Sequence, residues 1–262
     1  MSGRRLKAFA AVAFFVLVGA GWPVAGQKSG EALRSASGFL SPEMAAEQAD
    51  EMRNRGMLWV DQGLALWQTP VGPESKSCAS CHGKPEAMAG VAAHYPQVDA
   101  IGGVLLNLEG RVNACRTRHQ GADPLAYETN DLLGLTAMLA RQSLGTALTV
   151  SVDGAARPYF EQGQALWQAR QGQMNLSCAQ CHDGHVGQRL RGDTISSAVP
   201  VGYPVYRLEW QGMGSLHRRL KACQLGVRAL QFPQGAPEYL ALELYLAWRA
   251  NGLPIETPAL RR

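Results

Sequence analysis

Hydrophobic positions along the chain fall into segments separated by polar, glycine-rich or proline-rich punctuation. The first is an uncharged run from Ala8 to Gly21, preceded by the basic start Arg4-Arg5-Leu6-Lys7 and followed by small residues at Val24-Ala25-Gly26. A basic start, a short apolar core and a small-residue cleavage region predict a secretory signal peptide over residues 1–26, too short to span a bilayer. Gln27 to Gly38 is rich in Gly, Ser and Lys and reads as a mobile leader. Ser41-Pro42-Glu43 then supplies an N-cap, a proline at the first helical position and an acid in the first turn, predicting a leader helix through Met44 to Arg53 that ends near Gly56.

Two apolar patterns occur twice. Gln62-Gly63-Leu64-Ala65-Leu66-Trp67-Gln68 is matched by Gln162-Gly163-Gln164-Ala165-Leu166-Trp167-Gln168, a separation of 100 residues at every position. That period is far longer than those of stacked repeats and indicates a duplicated domain. Each run predicts a helix whose glycine admits a close helix crossing while Leu and Trp pack inward. Closing apolar helices are predicted from Asp131 to Gln142, with Leu132, Leu133, Leu135, Met138 and Leu139 inward, and from Pro237 to Ala250, stopped at Asn251-Gly252. Asp153 to Pro158 reads as the linker. The predicted organisation is all-α with minor β-structure: an N-terminal domain over 27–152 that includes the leader helix, and a C-terminal domain over 153–262.

The duplicated helices lead into duplicated chemistry. Cys78-Ala79-Ser80-Cys81-His82 and Cys178-Ala179-Gln180-Cys181-His182 each begin eleven residues after the tryptophan, 78 against 67 and 178 against 167. Cys-x-x-Cys-His is the attachment signature of c-type haem: thiols three apart share one side of a helical turn, and the next residue is the imidazole that reaches the iron. A zinc knuckle or redox dithiol is the competing reading, and two copies each followed directly by His point instead to two covalent haems c, held by Cys78, Cys81, Cys178 and Cys181, with His82 and His182 as iron ligands.

A Tyr-Pro pair follows each motif, Tyr95-Pro96 and Tyr203-Pro204, and then Arg-x-x-Ala-Cys, Arg111 to Cys115 and Arg219 to Cys223. A second axial ligand serving both domains should recur at matching places. Met138 and Met213 do not pair, nor do His94, His119, His185 and His217, whereas Cys115 and Cys223 do. Three readings of these cysteines stay open: ligation of iron by both, a Cys115–Cys223 disulfide, or buried free thiols. A thiolate ligand would favour ferric iron and a low potential.

The net charge of +4 shrinks to 22 basic against 21 acidic residues once Arg4, Arg5 and Lys7 of the leader are set aside. Haem carboxylates would make the loaded protein slightly acidic, so a nucleic-acid partner has no support. No other catalytic signature competes, neither a phosphate-binding loop, a nucleophile elbow nor a zinc-protease helix.

A duplicated exported chain with two Cys-x-x-Cys-His sites and a distal Cys after each resembles the SoxA family, dihaem subunits of the SoxAX cytochromes of bacterial sulfur oxidation. The likeness covers nearly the whole chain after the leader, and the Arg-x-x-x-Cys segment is its most specific part. It implies tandem class I cytochrome c-like domains, periplasmic location without membrane anchoring, and a heterodimer with a monohaem SoxX-like subunit. It implies L-cysteine S-thiosulfotransferase activity, in which thiosulfate is oxidatively coupled to a cysteine of a SoxYZ-like carrier. Carried over by position, His82 and Cys115 hold the first haem iron, and His182 and Cys223 the second. Cys223 becomes the persulfide intermediate, and Arg219 contacts substrate. Arg219 and Cys223, four apart, share a helix face, where a guanidinium suits the sulfonate end of thiosulfate and favours a thiolate. Arg111 stands at the same spacing from Cys115, so neutralisation of a thiolate or haem carboxylate in both domains competes with that role. Arg249, late in the closing helix, could reach the second site or offset the helix dipole, and the dipole role is the preferred expectation. The competing functions are a dihaem electron carrier and a thiosulfate dehydrogenase.

Overall fold

The computed structural model describes residues 32–262; the expected signal peptide lies outside them. Helices α1 (Pro42–Ala49), α2 (Met57–Gln68) and α3 (Cys78–His82) are followed by strands β1 (Gln97–Val98) and β2 (Leu105–Leu106), helix α4 (Leu108–Cys115) with a π-helical turn through Gln120, and α5 (Asn130–Arg141). The second half repeats this order as α6 (Arg157–Gln168), α7 (Cys178–His182), β3 (Arg189–Leu190), β4 (Asp193–Thr194), β5 (Val205–Arg207), β6 (Gly212–Gly214), α8 (Leu216–Gly226) and α9 (Pro237–Arg249), closed by β7 (Ala259–Arg261).

Each half is built on one close helix crossing, α2 on α5 and α6 on α9. The glycines foreseen as contact points are those points: a Cβ on Gly63 would fall 2.2 Å from the Gly134 carbonyl oxygen, and one on Gly163 2.1 Å from that of Ala241. Trp67 and Trp167 are buried beside these crossings, and all five apolar residues expected to face inward from α5 are buried. A third cluster, with Ala93, Leu148, Val201 and Ile255, draws residues from both halves.

Several boundaries differ from expectation. The leader helix stops at Ala49, because Asn54 donates to the Gln48 and Pro258 carbonyls at 3.0 and 2.8 Å and accepts from Gly56 N at 2.9 Å, fixing a turn instead of a last helical turn. The described part of the leader is anchored: Arg34 N donates to Ser197 Oγ at 2.9 Å, and the Ser35 and Ser37 hydroxyls to Glu256 at 2.6 and 2.5 Å. The expected linker is largely structured, as residues 154–156 form a 3₁₀ turn and Pro158 lies in the first turn of α6. Proline is at home there because that N–H would find no intrahelical partner.

The β1–β2 and β5–β6 hairpins keep one register across the repeat. Gln97 pairs with Leu106 and Val98 with Leu105; 108 residues later Val205 pairs with Gly214 and Tyr206 with Met213. In the second half β7 adds in parallel to β5. Among the described residues no helix is long and apolar enough to cross a membrane.

Candidate functional site: two thiol and imidazole centres of unequal surroundings

Helices α3 and α7 are single turns held open at the start by the same device. Ser77 accepts from Ser80 N at 3.1 Å while the Ser80 hydroxyl accepts from Ser77 N; Ser177 and Gln180 repeat the exchange with 3.2 and 2.9 Å bonds. These capping boxes fix the turn on which both thiols and the imidazole sit. The tryptophans brace the imidazoles, with ring centroids 5.7 Å apart for Trp67 and His82 and 5.9 Å for Trp167 and His182.

All six cysteines are free of disulfides, so the Cys115–Cys223 bridge does not form. Each distal cysteine belongs to its own motif: Cys115 lies within electrostatic reach of Cys78 and Cys81, and Cys223 of Cys178. Burial, then the charge of Cys223, pushes the Cys178 thiol up to about 11. Burial raises Cys115 as well, outweighing the pull of Arg111 and Arg118. Met138 and Met213 are both buried in the first half's core.

These residues fit covalent haem. His182 Nδ1 lies 2.7 Å from the Ser196 carbonyl, to which it donates, leaving Nε2 with its lone pair; burial, aided by Arg219 and Arg249, holds its pKa below the ordinary value and keeps the ring neutral. Among the described residues no three His, Cys, Asp or Glu side chains converge as a chelating group.

The two arginines one turn before the distal cysteines have unlike partners. Arg111 Nε donates to the Tyr95 hydroxyl at 3.0 Å and Nη2 to Asp99 Oδ1 at 2.8 Å, and Arg118 holds the other Asp99 oxygen at 2.6 Å. Arg118, the Gly102 amide and Arg111 hold the buried Asp99 carboxyl well below the usual carboxylate range. Arg219, partly buried, makes no side-chain hydrogen bond or ion pair among the described residues. Burial works against its charge, and Cys223, Tyr203, Asp193 and Glu209 more than offset that, raising its pKa.

Arg249, in the last turn of α9, reaches the second Cys-x-x-Cys-His turn. It is buried, with Nη2 2.5 Å from Asp183 Oδ1 and its guanidinium 4.2 Å from the Trp167 ring centroid. Asp183 also accepts from Trp167 Nε1 at 2.9 Å, where the first half has the Gly83 carbonyl. The identity of the residue after each haem-motif histidine, Gly83 or Asp183, was the available signal for this difference.

Between the halves lies a buried polar cluster not foreseen from the sequence. His217 Nε2 is 2.9 Å from Glu243 Oε2, Gly235 N donates to His217 Nδ1 at 3.0 Å, and Asn107 Nδ2 donates to Glu243 at 3.1 Å. Burial and then the Glu243 charge push the neighbouring Glu109 carboxyl up to about 7 from 4.5. Burial pulls His217 down, but Glu243 more than compensates and its pKa is raised above 6.5. Both groups therefore bind a proton more tightly folded than unfolded. Their stabilisation is complete at low pH and is lost as pH rises, for Glu109 between 4.5 and about 7. Glu109→Gln is expected to raise stability at pH 8 by about 2–3 kcal/mol and to flatten its dependence between pH 5 and 8. Urea unfolding of the haem-loaded protein across that range checks it; an unchanged slope would mean that Glu109 is not the titrating group.

The SoxA/TsdA cytochrome c domain matches this chain twice, over residues 62–148 and 162–255, and each match spans one Cys-x-x-Cys-His turn. The L-cysteine S-thiosulfotransferase subunit SoxA of Rhodovulum sulfidophilum is 36% identical over 230 residues, 87% of this chain and 80% of that protein. The SoxA subunit of Paracoccus pantotrophus is 38% identical over 214 residues, 82% and 74% of the two chains. The crystal structure of SoxXA from P. pantotrophus superposes with a TM-score of 0.84 at 36% identity, covering 88% of this chain and 87% of that one. The two helical halves are tandem cytochrome c domains, and haem c is their cofactor. With both halves matched and relatives above one-third identity along most of its length, the chain belongs to the SoxA/TsdA cytochrome c family.

Proposed function

We propose that this chain is the SoxA subunit of an L-cysteine S-thiosulfotransferase, working in the periplasm with a monohaem SoxX-like cytochrome and a SoxYZ-like carrier. Two haems c are held, the first by Cys78, Cys81, His82 and Cys115, the second by Cys178, Cys181, His182 and Cys223. Bound haem supplies one-electron transfer, so the two electrons of the reaction leave singly.

The chain's own residues do the rest. The unpaired Arg219 guanidinium binds the sulfonate oxygens of thiosulfate, aiming the outer sulfur at Cys223 one helical turn away. A sulfur–sulfur bond forms as Cys223 thiol and thiosulfate give Cys223–S–S–SO₃⁻, one proton and two electrons. The carrier thiolate then attacks the sulfur next to the sulfonate, leaving with S–SO₃⁻ and returning Cys223 as thiolate. Arg111 is already spent on Tyr95 and Asp99, so the first half's arginine at the equivalent position is not free for this chemistry. The contrast between the engaged Arg111 and the unpartnered Arg219 is the observation that carries the reading.

The test is the intact mass of the haem-loaded protein before and after thiosulfate, then after a thiol reductant, with the modified peptide mapped. A reductant-sensitive adduct on Cys223, reduced about 10²-fold in formation rate by Arg219→Ala, is expected. An adduct on Cys115 instead would move the chemistry to the first half, and no adduct on either cysteine under turnover would leave this chain as an electron carrier.

A further inference from the structure

The repeat carries a charge inversion beside the two arginines. Asp99 N donates to Val104 O at 2.8 Å, and Arg207 pairs with Gly212. Asp99 and Arg207 are thus the same hairpin position, 108 residues apart, as are Tyr95 and Tyr203, Arg111 and Arg219, and Cys115 and Cys223. Where the first half has the carboxylate that pins Arg111, the second half has a guanidinium.

Arg207 is only 5% exposed. Its Nη2 meets Asp193 at 3.0 Å and lies 3.7 Å from Glu209, its guanidinium stands 5.3 Å from the Trp210 centroid, and its Nε has no partner. Asp193 and Glu209 are also the carboxylates that bear on Arg219. Tyr203 feels Arg219, Arg207, Arg261 and Cys223 together. The first half therefore shows the arginine with an anion supplied by the chain itself, and the second shows the same frame with that anion replaced by a cation.

We infer that Arg207 is a positioning residue for the anionic substrate: by standing where the first half places Asp99, it leaves Arg219 without an internal carboxylate and reserves that guanidinium for an oxyanion from solution. This rests on Arg219 being the substrate contact and adds what decides which half receives substrate. Arg207 need not touch the reacting sulfur. Its guanidinium engages Asp193 and stands beside Glu209, the two acids that bear on Arg219, and so disfavours capture of Arg219 by either.

The experiment compares Arg207→Gln, Arg207→Lys and Arg207→Asp with Arg219→Ala in the haem-loaded protein, assayed with its monohaem partner, carrier and thiosulfate. Arg207→Gln is expected to raise the KM for thiosulfate about 10-fold with kcat within about 3-fold, Arg207→Lys to restore it, and Arg207→Asp to raise KM further. Should Arg207→Asp fail to load haem or fold, the glutamine and lysine variants decide the matter. The potential of the second haem is recorded alongside. An unchanged KM with a shifted potential would assign Arg207 to a haem carboxylate and overturn the inference. An unchanged KM for Arg207→Gln beside a crippled Arg219→Ala overturns it while leaving the substrate role of Arg219 intact. Normal kinetics in both variants would reject the Arg219 reading and this one together.

Discussion

Cys223→Ala is expected to lower thiosulfate-dependent turnover at least ~10³-fold while two haems remain attached, the scale on which a covalent nucleophile is lost. The proposed haem attachments of the second half lie on α7, whose capping box of Ser177 and Gln180 does not involve Cys223, so loading should survive. Cys115→Ala is the matched control. Cys115 is likewise free of disulfide and within electrostatic reach of its own motif, but the arginine before it is committed to Asp99 and Tyr95. Turnover of Cys115→Ala within about 10-fold of the native protein, beside an inactive Cys223→Ala, places the chemistry in the second half. The reverse pattern would show that the free arginine does not mark the reactive centre. Mass and pyridine-haemochrome analysis establish the haem count in both.

Gly163→Ala is expected to destabilise the protein by about 3 kcal/mol or more, although alanine is the better helix former by about 1 kcal/mol. The opposite sign follows from the crossing of α6 and α9: the added methyl would meet the Ala241 carbonyl carbon at 2.7 Å and its oxygen at 2.1 Å, and backbone cannot turn aside as a side chain does. The helices must separate, and Trp167, Phe160, Leu242 and Tyr245, buried in that core, lose contact. Gly226→Ala at the end of α8, where a methyl meets nothing within 4 Å, is the neutral comparison. Denaturant midpoints for the two haem-loaded variants test the pair. A Gly163→Ala protein as stable as the native one would show that the crossing can open without cost.

How much of this was legible along the chain varies by residue. The two Cys-x-x-Cys-His turns could be read because their requirement is local: two thiols and an imidazole share one turn, and five consecutive residues contain them. Gly63 and Gly163 were readable as crossing points because the repeat set them at the same place in two apolar helices. Arg219 was readable as a candidate but not separable from Arg111, since the frame around each is the same five-residue pattern. Reach to the second site was one of two readings for Arg249 and not the preferred one, because nothing near it in sequence announces Asp183, 66 residues earlier.

The sequence by itself determined the duplication, the helices and their start signals, the two thiol–imidazole turns and the pairing of Cys115 with Cys223 as equivalents. Each depends on spacing within a turn or on comparison of two copies, and both are properties of a linear string. Tertiary structure alone decided which arginine is engaged, since Asp99 and Tyr95 reach Arg111 only through the fold of the β1–β2 hairpin against α4. It also decided that the anchored leader and the final strand join the second half, and that Glu109, His217 and Glu243 from three helices share one buried site. Charge acts through space and is strengthened by exclusion of water, so its partners are set by burial and proximity, which the order of residues does not contain.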